Sequence, residues 1–212
     1  MRRLLSLAML GFLLAGCGSQ ELPAPVKPRL VRIDWLGNQC YRFTSSLGTT
    51  LITNPYGPKT KGRTLPQPLM TDILLVTSER PEVNNVNAFD NQPATLRGGV
   101  GIGLTSLTGI QVRGVPDFRK PDAPSMDGMN LVYTWSMDGI RFCFAGSLGR
   151  KLNADQLAQI GAIDVLFISG DGVERSEIVN QLKPRIVVPM DTIWVAGVAR
   201  HINGATFSLS RE

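Results

Sequence analysis

Histidine is almost missing from this chain: His201 is the only one in 212 residues. A lone imidazole excludes the multi-histidine cages of catalytic zinc enzymes. With no second histidine or cysteine beside it in Ala199-Arg-His-Ile-Asn203, His201 reads as an ordinary surface or strand-end residue. Cysteine is scarce as well, with Cys17, Cys40 and Cys143 too few for a disulfide framework. Lysine and arginine never run beyond two in a row, and no aromatics are interleaved with them. The net charge of +5 is therefore not the footprint of a nucleic-acid binder. Long apolar runs are also lacking, with one exception at the start. Leu4 to Leu14 is apolar over about eleven residues, short of the roughly 20 that a membrane-spanning helix needs.

What is there begins with that run. Arg2 and Arg3 precede it and Leu14-Ala15-Gly16-Cys17 follows, the order of a secretory signal: basic start, apolar core, small residues. The last four residues resemble the bacterial lipobox, in which cleavage precedes a cysteine that receives lipid. The resemblance implies a signal peptide over residues 1–16 and lipidation at Cys17. Gly18 stands where an aspartate is associated with inner-membrane retention, so an outer-membrane or surface position in the bacterial envelope is expected. Residues 17–29 form the lipidated cysteine and a tether carrying three prolines, and residues 30–212 form one domain. Without the leader the charge is +3, since the leader carries two of the 22 basic residues and none of the 17 acidic ones.

The mature chain reads as strands first, then strands mixed with helices. Leu30 to Leu36 alternates Val31, Ile33 and Trp35 with Arg32 and Asp34, the period of a half-buried strand. Strands Cys40–Thr44 and Thr49–Thr53 flank a Ser45–Gly48 turn. The stretch Asn54–Pro68 holds four prolines and is neither helix nor strand. Ile73–Val76 fits a strand buried on both faces. Asn84–Asp90 predicts a short helix capped by Asn84 or Asn85. Thr95–Val112 predicts strands broken by glycines. Leu131–Trp135 and Ile140–Ala145 flank Asp138-Gly139, a two-residue hairpin signal. Asn153 with Gln156 has the pattern of a capping box, and Gly161 closes that helix. Ile163–Ile168, a helix over Glu174–Leu182 stopped by Lys183-Pro184, and a strand over Ile186–Val188 complete the pattern. Cys40 and Cys143 read as buried thiols on strands of different sheets, with a disulfide left open.

Several segments in this order resemble the metallo-β-lactamase fold superfamily, in its lactonase-like branch. They are Trp35-Leu36-Gly37, Leu51-Ile-Thr-Asn-Pro55, Thr77 to Val83, Val115 to Arg119, Phe144 to Gly149, and Lys183-Pro184 to Met190-Asp191. The resemblance implies an α/β fold, a four-layer αββα sandwich. It also implies a metal-dependent hydrolase, in which a zinc or manganese ion activates water. The superfamily's long strand ends in Thr-His-x-His-x-Asp-His. Here Ser78, Arg80 and Val83 stand at the three histidine positions and Glu82 at the aspartate. Arg119 stands at a loop histidine, Ser147 at the bridging aspartate and Asp191 at the last histidine. Asn54 replaces a further aspartate.

These substitutions remove the chemistry that the resemblance implies. Valine cannot ligate, arginines repel a cation, and Glu82 and Asp191 are too few carboxylates for a tight transition-metal cage. No metal, no cofactor and no catalytic residue is expected. Ser78 is a nucleophile by position only, Lys59, Lys61 and Lys151 are not singled out as bases, and Glu79 with Glu82 is an ordinary loop spacing. Two readings of the relic pocket (Ser78, Glu82, Ser147, Asp191) stay open. Arg80 and Arg119 could hold an anion by bidentate hydrogen bonds, or Arg80 could pair with Glu82 and Arg119 with Asp191 as a salt-bridge plug. The expected function is a lipid-anchored, non-catalytic binding or scaffold protein whose partners are the membrane and either a small anionic ligand or an envelope protein. The alternative is a hydrolase of lactones or phosphate esters with an unorthodox site.

Overall fold

The structure is a computed structural model and describes residues 29–57, 60, 64–118, 125, 128–170, 172–190 and 206–210; of 172, 173 and 206–210 only the backbone is described. Cys17, Lys59, Lys61, Arg119, Asp191 and His201 lie outside the described residues.

The first half of the chain builds one sheet. Strands β1 (Leu30–Gly37), β2 (Cys40–Thr44) and β3 (Thr50–Thr53) form an antiparallel meander, and β4 (Ile73–Leu75) and β5 (Ala94–Leu96) then add in parallel. The second sheet starts with β6 (Gly103–Leu107), β7 (Ile110–Phe118), β8 (Met129–Met137) and β9 (Ile140–Phe144), each antiparallel to the one before it. Helix α1 (Ala154–Ile160) delivers β10 (Val165–Ile168), and helix α2 (Gly172–Leu182) delivers β11 (Ile186–Pro189), both parallel to β9. A last strand, β12 (Thr206–Ser210), returns to pair with β1. The two six-stranded sheets run β12-β1-β2-β3-β4-β5 and β11-β10-β9-β8-β7-β6.

Local chemistry accounts for the connections. Asp138 and Gly139 both adopt positive φ (50° and 81°), as does the pair Thr108 and Gly109 (46° and 82°), the tight-turn geometry that suits the twist of flanking strands. The capping box at α1 forms as the sequence predicts: Asn153 Oδ1 accepts from the Gln156 amide at 2.8 Å and Gln156 Oε1 from the Asn153 amide at 3.0 Å. Pro116 sits inside β7, which a proline would ordinarily weaken by removing a ladder donor. The β6 partner ends at Gly103 opposite Gly114, so Pro116 faces only β8, opposite Leu131.

The core lies between the sheets. Phe43 contacts Trp135, Phe142 and Phe167 with ring centroids 5.0, 5.3 and 5.2 Å apart, all edge to face. A second apolar layer, including Val115, Leu166, Ile168, Ile160 and Ile178, seats α1 and α2 on the outer face of the β6–β11 sheet. On the outer face of the other sheet, Ile52, Leu74 and Val76 are covered by Tyr56, Leu65 and Leu69 of the proline-rich stretch and by Val86, Ala88 and Phe89. The predicted helix at Asn84–Asp90 is instead a single 3₁₀ turn, Val86–Ala88. Asn85 makes no side-chain cap there; its Nδ2 donates to the Tyr56 carbonyl at 3.2 Å, so the loop, not the helix, claims that amide. Cys40 and Cys143 are buried and free on strands of different sheets.

Candidate functional site

The ends of five strands meet along one rim of the sandwich. Asn54 follows β3, Thr77 and Ser78 follow β4, Asp117 closes β7, Met129 and Asn130 open β8, and Gly146 and Ser147 follow β9. The sheets are stitched here by backbone, with the Leu131 amide donating to the Thr77 carbonyl at 2.7 Å.

Neutral side chains knit the floor. Asn54 is fully buried with φ at 41°, a left-handed conformation that asparagine tolerates better than most residues. Its Oδ1 accepts from the Thr77 amide at 2.8 Å, and its Nδ2 donates to Thr77 Oγ1 at 2.9 Å and Gln39 Oε1 at 3.0 Å. Asn130 Nδ2 donates to the Ala145 carbonyl at 2.9 Å, and its Oδ1 accepts from the Ser147 amide at 3.1 Å. Gly146 passes between these groups at φ 59°; a Cβ there would lie 2.5 Å from Asn130 Oδ1 and 2.7 Å from Thr77 Oγ1.

Above the floor is a pocket of about 130 Å³, lined by Ser78, Arg80, Asp117, Asn130, Ser147 and Arg150 together with Gly128, Met129 and Gly149. Arg80 Nη2 donates to Ser147 Oγ at 2.7 Å, and Gln39 Nε2 donates to the same oxygen at 3.3 Å. Arg150 places Nε and Nη2 on Asp117 Oδ1 at 2.7 and 2.6 Å.

The sequence-predicted site residues separate into those that converge and those that do not. Ser78, Arg80 and Ser147 line one pocket. Glu82 is exposed and does not line it; only its backbone carbonyl is engaged, accepting from Asn38 Nδ2 at 3.3 Å. The predicted Arg80–Glu82 half of a salt-bridge plug is therefore absent. The reason is local: the chain turns after Arg80, burying Val83 and directing Glu82 to solvent. Glu79 does not pair with Glu82 either, because it is held by Arg97 and by Asn84 Nδ2, the latter at 2.7 Å. Lys151 pairs with Glu177 at 2.7 Å and is not part of the pocket. Arg119 and Asp191 lie outside the described residues, so their pairing is not described. Among the described residues, no group of three or more histidine, cysteine, aspartate or glutamate side chains comes together to hold a metal.

Sequence reasoning missed Gln39, Asn130, Asp117 and Arg150. Asp117 lies inside a quoted motif and Arg150 directly follows another, but their partnership spans 33 residues and has no local signature.

Two packed mixed sheets, with helices on one outer face and a polar pocket at the joined strand ends, define an α/β sandwich of the metallo-hydrolase type. Residues 32–191 match the family model for the β-lactamase superfamily domain, and the chain belongs to that superfamily. Among solved structures, the chain resembles a protein from Thermotoga maritima assigned to the Zn-dependent hydrolases of the metallo-β-lactamase superfamily. That pair shares 25% identity and a TM-score of 0.61 over 76% of this chain and 75% of the other. A protein from Parabacteroides distasonis assigned to the metal-dependent hydrolases shares 15% identity and a TM-score of 0.59, over 76% and 82%. The diiron β-hydroxylase CmlA of Streptomyces venezuelae shares 14% identity and a TM-score of 0.55, over 75% of this chain and 44% of that one. No curated protein matches the chain.

Proposed function

We propose that this chain is a lipid-anchored bacterial envelope protein whose superfamily metal pocket has become a metal-free binding site for a small anion. The observation that carries the reading is Arg80: its guanidinium lines the pocket, bonds to Ser147 Oγ and is paired with no carboxylate among the described residues. A strongly hydrated zinc or manganese ion needs several anionic or imidazole donors. The described positions supply instead two serine hydroxyls, a guanidinium, a buried valine and, at Glu82, a carboxylate turned to solvent, a donor set that does not fit such an ion. The one carboxylate lining the described pocket, Asp117, is held by Arg150 and is not bonded to Ser78, so no base is positioned to activate that hydroxyl as a nucleophile.

The anchor reading rests on the lipobox-like segment ending in Cys17. Topology adds a consequence. β1 starts at Leu30 and runs parallel to β3 and β4, whose C-terminal ends form the pocket floor. Leu30 therefore lies at the end of the sandwich opposite the pocket, an arrangement compatible with an anchor that leaves the mouth open to solvent.

Thermal melting of the full chain in detergent tests the site, with EDTA, zinc, manganese, acetate and inorganic phosphate as additives. A ligand at a hundred times its dissociation constant adds about 2.7 kcal/mol, which raises the midpoint by roughly 5–10 °C for a domain of this size. The expected result is a rise with an anion and no response to EDTA. A fall with EDTA that zinc or manganese restores would overturn the metal-free reading and favour an active hydrolase. Mass spectrometry of the mature N-terminus tests the anchor, with a lipid-bearing Cys17 expected.

A further inference from the structure

We infer that the pocket is built for a single carboxylate rather than for a phosphate ester or a polyanion, an assignment that rests on the anion-binding reading above and narrows it. The argument begins with a charge count. The ionisable groups lining the cavity among the described residues are Arg80, Arg150 and Asp117. Arg150 spends Nε and Nη2 on Asp117 Oδ1, at 2.7 and 2.6 Å, and the Asp117 side chain is only 7% exposed. Those two charges neutralise each other. Among the described residues one cation, Arg80, remains. A phosphate monoester carries about −1.5 to −2 at neutral pH and would leave roughly half to one uncompensated negative charge beside Asp117. A carboxylate brings one charge and no surplus.

Geometry points the same way. Arg80 uses one Nη2 hydrogen on Ser147, and its remaining N–H groups have no partner among the described residues. A guanidinium edge offers two parallel N–H donors, which match the two coplanar oxygens of a carboxylate. The neighbours are donors too. Ser147 Oγ accepts from both Gln39 and Arg80, which occupies its lone pairs and leaves its hydrogen to donate. Ser78 Oγ accepts from the Arg80 amide at 3.4 Å and likewise keeps its hydrogen. The Asn130 carboxamide is engaged at both ends by backbone. A cavity of about 130 Å³ is the space of roughly four waters at about 30 Å³ each, enough for a short hydroxy acid or the terminal carboxylate of a longer molecule.

Titration calorimetry on the full chain in detergent at pH 7, with acetate, lactate, inorganic phosphate and glycerol 3-phosphate, tests the assignment. Wild type is expected to bind lactate or acetate at least about tenfold more tightly than either phosphate. Arg80→Lys keeps the charge but not the planar fork, and should weaken carboxylate binding by about tenfold or more, a factor of ten being about 1.4 kcal/mol. Asp117→Asn releases Arg150 and should shift preference towards the phosphates by a similar factor. Phosphate binding as tight as carboxylate in wild type, retained in Arg80→Lys, would overturn the carboxylate assignment while leaving an anion pocket standing. Binding of none of the four probes would overturn both. If Asp117→Asn does not fold, as judged by circular dichroism, the Arg80→Lys comparison decides alone.

Discussion

Arg80 and Ser147 stand 67 positions apart in the sequence and meet at 2.7 Å. In the superfamily pattern these positions carry a histidine and a bridging aspartate, both metal ligands. Here a guanidinium donates directly to a hydroxyl. Ser147→Asp would place a carboxylate against that guanidinium and close the pocket on itself. The variant should melt at an unchanged or slightly higher temperature, since a partly exposed ion pair contributes about 0–1 kcal/mol. Acetate should no longer shift its melting midpoint.

Gly146 is the backbone hinge of the floor. A methyl group there would enter the space of Asn130 Oδ1 and Thr77 Oγ1, and the φ of 59° would strain any larger residue. Gly146→Ala should destabilise the fold by about 2–4 kcal/mol, the usual size for overpacking combined with backbone strain. Urea denaturation measures this directly. A loss below about 1 kcal/mol, the lower end of such penalties, would mean that the floor relaxes easily.

Asn54 shows why an amide suits a position where the superfamily has an acid. Its oxygen accepts from the Thr77 amide while its nitrogen serves Thr77 Oγ1 and Gln39. An ionised aspartate in its place could not donate, and its buried charge would have no cation bonded to it. Asn54→Asp should therefore destabilise by about 2 kcal/mol or more. Asn54→Gly, which keeps the left-handed backbone but loses the bonds, should cost less than Asn54→Ala. Melting midpoints of the three variants give the order.

Much of this was legible in the sequence because it is local. The Asp138-Gly139 turn, the Asn153/Gln156 capping box and the apolar run of β4 each declare themselves within a few residues. The superfamily landmarks located Ser78, Arg80 and Ser147, which do share one pocket. What could not be read is long-range. Glu82 lies two residues from Arg80, and nothing in that spacing tells that the chain turns one inward and the other to solvent. Arg150 and Asp117 pair across strands, and Pro116 is tolerated in β7 only because β6 has already ended. The short helix over Asn84–Asp90 is only a 3₁₀ turn, its Val86, Ala88 and Phe89 side chains packed against the outer face of the first sheet. β12, which completes the first sheet, went unread because no motif marks it.

The buried thiols yield a pH dependence. Burial pushes the Cys143 thiol up to about 12 and raises Cys40 as well, against the opposing pull of Arg42. Both groups hold their protons longer in the folded state than in the unfolded chain. Their contribution is fully present below the ordinary thiol value of about 8.5 and is lost as pH rises towards the folded value. Each thiol should cost up to about 1.4 kcal/mol of stability per pH unit within that window. Urea midpoints between about pH 8 and 11, a range spanning that ordinary value, should fall more steeply for wild type than for Cys143→Ala. Iodoacetamide near the lower end of that range should leave both folded thiols unmodified.

Installing metal-ligand side chains tests directly whether these positions frame a metal site. Ser78, Arg80 and Ser147 line one cavity, and two of them are already within 2.7 Å. The combination Ser78→His, Arg80→His and Ser147→Asp would therefore bring two imidazoles and a carboxylate together, a donor set of the kind that catalytic zinc takes. It also removes the guanidinium that lines the cavity. Wild type should show no zinc-dependent change in melting. The triple variant should gain about 2–3 kcal/mol at zinc concentrations near a hundred times its dissociation constant. An increase confined to the variant would confirm that these positions still frame a metal-sized space, and that the side chains alone set what the pocket accepts. A variant that folds but ignores zinc would show that the backbone has moved away from that geometry, and the correspondence of these residues to metal ligands would have to be abandoned.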